Sequence, residues 1–142
     1  MTYEELQEIA RKDMKLDDVN LDIESLKIPE LQHKYLKHFS NYNLLSKKAE
    51  TDYKIMYRKK WEYYSGKSDA EVYEKDPFNL KILKQDLSIY LDSDEELSEA
   101  KNKLEYYKNI ITYLEGILKS LNNRGFQIKN AIDFKKFCEG LN

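Results

Sequence analysis

The chain has 142 residues, 35% of them charged and 41% hydrophobic, with only 4 Gly and 2 Pro. So few turn residues exclude an all-β sandwich, and the length suits one domain rather than two. The formal charge of -2 gives no sign of a polyanion partner, while a mean hydropathy of -0.81 with many Lys, Glu, Leu and Tyr points to long helices with wide solvated faces.

Thr2 and Glu5 have the spacing of a capping box, and Leu6, Ile9 and Ala10 follow at helical intervals, so a first helix is expected to about Asp13. The stretch from Lys15 to Ile28 alternates loosely and is studded with Asp and Asn. It reads as a connector with one short turn, and residues 1-28 together as an acidic arm.

Pro29 suits the first turn of a helix, where its missing N–H loses nothing. From there Leu31, Tyr35, Phe39, Tyr42, Leu45, Ala49, Tyr53, Met56 and Tyr63 keep one face apolar, with Lys60 as the exception, up to Gly66, which reads as a left-handed cap. A helix of that length spans roughly 50 Å and needs a partner along it, from the same chain or another subunit.

A polar, acidic loop is expected to Asp76, with Asp76-Pro77 opening a short helix through Leu80, Leu83, Leu87 and Leu91. Ser93 and Glu96 form a further capping-box spacing. Leu97, Leu104, Ile111 and Leu118 then repeat every seventh residue, as do Ala100, Tyr107, Leu114 and Leu121, beside a second stripe of Tyr106, Ile110, Tyr113 and Ile117. Two stripes imply burial against more than one neighbour, either within one bundle or at a subunit interface. Asn122-Asn123-Arg124-Gly125 is expected to end this helix, and a last one carries Phe126, Ile128, Ala131, Ile132, Phe134, Phe137 and Cys138.

Catalytic and metal motifs are missing. One Cys and 2 His exclude a disulfide framework and a Cys/His zinc site. Gly66-Lys67-Ser68 mimics the end of a phosphate-binding loop, but Trp61 stands where the first Gly is required. His33 and His38, five apart, do not share a helix face and read as surface or partly buried, and Cys138 reads as buried and inert. The acids at Asp94-Glu95-Glu96 suit a helix N-terminus. No enzyme, cofactor or metal is expected. The acidic N-terminus has no apolar signal region, and no stretch is apolar enough to span a membrane, so a soluble protein of a reducing compartment is expected.

The small net charge hides opposed blocks. Residues 1-30 carry about -5, 31-67 about +6, 68-106 about -6 and 107-142 about +3. In the basic block Lys54, Arg58, Lys59, Lys60 and Lys67 interleave with Tyr53, Tyr57, Trp61, Tyr63 and Tyr64. Lys54, Arg58 and Trp61 share one helix face, with Tyr53, Tyr57, Lys60 and Tyr64 on the adjacent one. Cations beside flat rings can hold a single strand, the cations on phosphates and the rings on unpaired bases. The same pattern also describes a solvated helix end whose rings are core. Five cations on a monomer bind weakly at physiological salt, whereas a ring of subunits repeats the patch.

At these residues the chain resembles a known family. Trp61-Glu62-Tyr63-Tyr64-Ser65-Gly66-Lys67, preceded by Arg58 and Lys60, is similar to the KARLDYYSG-type segment of the UvsY recombination mediators of T-even-like phages. Arg124-Gly125-Phe126-Gln127-Ile128-Lys129 through Phe137 and Gly140 resembles that family's RGFAIK ending, and the opening Glu-Glu-Leu-Gln-Glu is similar too.

The resemblance implies a non-enzymatic mediator that binds single-stranded DNA. It would help the phage recombinase (UvsX) load onto strands coated by the phage single-stranded DNA-binding protein, in recombination, repair and recombination-dependent replication. It implies a ring-like homo-oligomer, a hexamer or heptamer, in the cytoplasm of the infected bacterial host. Arg58 and Lys60 match the family's DNA contacts and Lys67 a basic position after the Gly; Lys54 and Lys59 join them by helix geometry. Trp61 stands in place of an aliphatic residue, and either stacking on a base or core packing fits it. The family's assembly region corresponds here to Leu104, Tyr107, Ile111, Leu114, Ile117, Leu118, Phe126, Ile128, Ile132 and Phe137. The expected fold is all-α and a single domain: long antiparallel helices with coiled-coil-like packing, the arm 1-28, the basic helix 29-67 and an assembly region 77-142. The rival reading is a coiled-coil scaffold without nucleic-acid binding.

Overall fold

The computed structural model describes residues 1–140, and among these no strand forms. The order is α1 (Tyr3–Asp13), α2 (Leu21–Tyr64), α3 (Ala70–Lys75), a 3-10 turn (Lys84–Asp86), α4 (Leu87–Ser93) and α5 (Glu95–Cys138). The chain divides into two compact units, Met1–Tyr42 with Ile110–Asn142, and Asn43–Asn109. The long helices α2 and α5 contribute to both, and within each unit they pack against each other.

In the first unit the expected capping box forms: the Glu5 N–H donates to Thr2 Oγ1 at 3.1 Å, and the Thr2 N–H to Glu5 Oε2 at 2.9 Å. Leu6 and Ala10 of α1, Tyr35 of α2, and Ile110, Leu114, Ile117 and Leu121 of α5 make one buried core. α5 therefore meets two neighbours from its own chain, which accounts for its double stripe. Its buried register differs from the strict heptads. Ile110 and Ile117 of the second stripe are buried, while Ile111 and Leu118 are only partly so.

Two expected boundaries are overturned here. The helix expected at Pro29 begins at Leu21, and Pro29 lies inside it. Asp17 first turns the chain by accepting from the Val19 N–H at 3.0 Å and Asn20 Nδ2 at 2.8 Å. Leu21 and Glu24 are then buried, so tertiary contacts outweigh the one backbone bond that an interior proline removes. The stop expected at Asn122–Gly125 does not occur either, and α5 runs unbroken for 44 residues. A helical Gly costs about 1 kcal/mol. Burial of Leu121 and Ile128 on either side contributes about 1.5–3 kcal/mol each, so helix wins. Cys138, expected to be buried, is exposed.

In the second unit Leu87 and Leu91 of α4 and Leu97 of α5 form the core, with Tyr53, Met56, Trp61 and Tyr64 of α2 and Ile82 packed on it. The expected loop before Asp76 contains α3. The helix expected from Pro77 through Leu91 shortens to the 3-10 turn and α4, and Leu80 and Leu83 are exposed. Phe78 explains the change. Its ring centroid lies 5.5 Å from Tyr63, 5.1 Å from Tyr64 and 5.7 Å from Tyr90, which draws the segment into an aromatic cluster. Ser93 does not cap α5: its hydroxyl donates to the Ile89 carbonyl. Asp94 takes the role, accepting from the Leu97 N–H at 2.9 Å.

Candidate nucleic-acid interface

The basic segment lies on the last turns of α2 and the cap beyond it. Gly66 takes φ +76, as the sequence predicts, and closes a Schellman motif. The Lys67 N–H donates to the Glu62 carbonyl at 2.8 Å and the Gly66 N–H to the Tyr63 carbonyl at 3.2 Å. This reversal brings the Lys67 ammonium 4.4 Å from the Trp61 ring centroid.

The tyrosines of the motif are committed to the fold. Tyr63 is buried and its hydroxyl donates to the Asp76 carbonyl at 2.9 Å. Tyr73 stacks on Tyr63 at 5.4 Å and donates to the Tyr63 carbonyl at 2.7 Å. The Tyr64 hydroxyl donates to Asp94 Oδ2 at 2.6 Å. Burial, followed by the Asp94 hydrogen bond and charge, raises the Tyr64 pKa, so Tyr64 stays a donor.

The six residues singled out for strand binding separate by environment. Lys54, Arg58, Lys59 and Lys67 are exposed. Lys54 lies 3.6 Å from Glu50, and Arg58 3.8 Å from Glu62. Both are solvated i,i+4 pairs of little strength, so either cation can leave for a phosphate. Lys60 differs. Its side chain is 18% exposed, and its ammonium lies 3.2 Å from Asp94 and 3.6 Å from Glu96. Burial alone raises the Asp94 pKa, but the bonds from Tyr64, the Leu97 N–H and Lys60 outweigh it and hold the carboxyl below its ordinary value. Trp61 is half-buried against the Leu87–Leu91–Leu97 core and does not share the exposure of Lys54 and Arg58.

Two openings flank this helix end. One, of about 380 Å³, is lined by Trp61, Ser65, Lys67, Ile82, Leu83, Lys84 and Leu87. The other, of about 400 Å³, mixes Lys59, Lys60 and Lys67 with Glu62, Asp69 and Asp76, whose carboxylates oppose an anion. Sequence reasoning missed Lys84. It lies in a block whose net charge is about -6, and only the fold of the 77–86 segment brings it to the cleft beside Trp61.

The residues assigned to assembly also divide. Leu104, Leu114, Ile117 and Ile128 are buried in their own chain, Tyr107, Ile111, Leu118 and Ile132 are partly buried, and Phe126 and Phe137 are exposed. Among the described residues no group of His, Cys, Asp and Glu is placed to hold a metal ion. No helix of the described residues is long and apolar enough to cross a membrane.

Long paired helices that end in a basic, aromatic-walled surface define an all-α helical protein with an exposed cationic helix end. The family described as "Recombination, repair and ssDNA binding protein UvsY" matches residues 9–141, and the chain belongs to it. This is a family of non-enzymatic recombination mediators. The chain is 26% identical to the recombination protein uvsY of Enterobacteria phage T4 over 140 residues, 99% of each. It is also similar to two crystal structures of the bacteriophage T4 recombination mediator protein UvsY. In lattice type II the TM-score is 0.85 at 27% identity, over 96% of this chain and 97% of that one. In lattice type I it is 0.83 at 26% identity, over 94% and 98%.

Proposed function

We propose that this protein binds single-stranded DNA through the exposed end of α2 and promotes loading of a phage recombinase (UvsX-like) onto strands coated by single-stranded DNA-binding protein. It would serve recombination, repair and recombination-dependent replication in the cytoplasm of the infected host. The carrying observation is the exposure of Lys54, Arg58, Lys59 and Lys67 at one helix end in a chain of this family. Their carboxylate partners are weak or lacking, so phosphates can replace them without a large desolvation loss.

Four cations on one subunit give weak, salt-sensitive binding, so the mechanism relies on repetition. We propose a ring-like homo-oligomer, a hexamer or heptamer, whose contacts use the exposed Phe126 and Phe137 with the partly exposed faces of Ile111, Leu118 and Ile132. Each added subunit then converts strand binding into an intramolecular event. The strand, held at several points, is weakened on its coating protein and offered to the recombinase.

The test is recombinase ATPase activity on a strand pre-coated with single-stranded DNA-binding protein, with oligomer size measured by light scattering. Addition of the protein should shorten the lag. A protein that stays monomeric at micromolar concentration, or leaves the lag unchanged, removes the mediator mechanism and leaves the scaffold reading.

A further inference from the structure

We infer that the cleft beside Trp61 is a base pocket: it takes one unpaired nucleobase of a bound single strand, while Lys67 and Lys84 hold the phosphates on either side. The inference rests on the single-strand reading above and assigns it a site that a solvated basic helix end lacks.

The cleft, about 380 Å³, has an apolar floor of Ile82, Leu83 and Leu87 and one aromatic wall, Trp61. Its floor is fixed. Leu87 is buried and belongs to the second unit's core, and Ile82 and Trp61 pack on that core. Its lining also includes two lysines, Lys67 and Lys84, and no carboxylate. Among the described residues neither Lys67 nor Lys84 makes an ion pair, unlike Lys54, Arg58 and Lys60. An apolar cleft lined by two lysines outside any ion pair fits a ligand with a flat apolar body and flanking anions, which is one nucleotide of an unpaired strand. The neighbouring opening, with Asp69 and Asp76, lacks this polarity.

Lys67 acts as a guard of the slot. Its ammonium rests 4.4 Å from the Trp61 centroid, held there by the Gly66 reversal and by attraction to the ring. A phosphate draws the ammonium outward, and a base replaces it on the ring. A duplex, whose bases are paired and stacked inward, offers the phosphates without the base, so the pocket favours single strands.

Trp61 is the chain's only tryptophan, so its emission reports on this cleft alone. Two labelled probes of equal length serve: oligo-dT, and an oligomer with abasic sites throughout. Anisotropy measures binding and tryptophan emission measures stacking. Oligo-dT should bind more tightly than the abasic strand, by about fivefold or more. It should quench Trp61, while the abasic strand binds without quenching. The exposed Lys84→Ala should leave the melting temperature unchanged, lower the salt slope by about 0.7 and weaken the quench. Trp61→Ala disturbs the core, so Lys84→Ala carries the test. Equal quenching by both strands, or an unchanged slope in Lys84→Ala, overturns the pocket while the single-strand reading stands. Binding of neither strand at low salt overturns both.

Discussion

Lys60 and Asp94 form an internal pair: the ammonium lies 3.2 Å from a carboxylate that is 5% exposed and also accepts from the Tyr64 hydroxyl and the Leu97 N–H. One carboxylate thus ties the end of α2 to the start of α5. The lysine at the centre of the basic segment is therefore spent on the fold, while its neighbours Arg58 and Lys59 face solvent.

This separation makes opposed predictions for adjacent residues. Lys60→Ala leaves a buried carboxylate short of one partner and should destabilise by about 1–3 kcal/mol, with little change in salt slope. Arg58→Ala with Lys59→Ala should leave stability within about 0.5 kcal/mol and lower the slope by about 1.4, since each lost phosphate contact on a single strand removes about 0.7. Urea unfolding and salt-titrated anisotropy read the two effects. A slope that falls in Lys60→Ala alone would show that the pair opens to bind DNA.

Acid should unfold the protein through the half-buried Asp13 and the buried Asp94. Burial raises the Asp13 pKa, but the Lys34 and Tyr35 hydrogen bonds and the Lys34 and Arg124 charges more than reverse it. Asp94 is lowered in the same way. A carboxyl with a depressed folded pKa binds its proton more readily when unfolded, so its contribution is complete above the unfolded value near ~3.9 and is lost as pH falls through the folded one. His38 is lowered too, by burial first and then by Lys34 and Lys37, so the fold favours its neutral form. Its contribution fades below the ordinary value near ~6.5. Melting temperature should therefore fall modestly below about pH 6.5 and steeply below about pH 4. Asp94→Asn should start less stable and show a shallower acid limb; a limb of unchanged steepness would assign the transition to other groups.

Local signals were legible and distant ones were not. Thr2 with Glu5, and Gly66 after a helical run, each need only neighbouring residues to act, and both behave as their spacing predicts. Pro29 and Gly125 carry breaker signals just as strong, yet both sit inside helices. What overrides them is burial and an ion pair between residues a hundred positions apart, which no window contains. The basic aromatic block was visible for the same reason as the caps, because its residues are contiguous. The internal role of Lys60 depends on Asp94 and Glu96, and Lys84 lines the same cleft as Trp61 only through the fold of the 77–86 segment. Spacing marks Lys60 as the one cation on the apolar face of α2 but does not name its partners, and it leaves no trace of Lys84.

Gly66→Ala should separate the cap from the contacts around it. A Cβ at Gly66 meets no atom within 4 Å, so the only penalty is the left-handed backbone at φ +76. That penalty is about 1–2 kcal/mol for an L side chain. Stability should fall by about that amount if the turn is kept. If the turn relaxes instead, Lys67 leaves the Trp61 ring and tryptophan emission shifts. Either response is measurable by chemical denaturation followed through Trp61, and a variant with neither change would contradict the cap's role.

Arg124 ties α5 to the end of α1 within the first unit. Its side chain is 2% exposed and ends among the last carbonyls of α1 and the residues after it. Nη1 donates to the Asp13 carbonyl at 3.1 Å, and Nη2 to those of Met14 at 3.5 Å and Lys15 at 3.2 Å. Glu24, also buried, lies 3.5 Å away and balances the charge, while Nε has no partner in the protein. Helix C-terminal carbonyls attract a cation, and a planar fork can reach several at once. Arg124→Ala leaves the buried Glu24 with only the half-exposed Lys27, at 3.5 Å, as counter-charge and three carbonyls short of a donor, which should cost about 3–5 kcal/mol. Arg124→Lys keeps the charge but reaches fewer carbonyls, and should recover less than half of that loss. Arg124→Met with Glu24→Gln removes both charges and should be more stable than Arg124→Ala. Urea midpoints of the three variants decide the point. If Arg124→Lys matches the parent chain, charge alone suffices and the fork geometry is irrelevant.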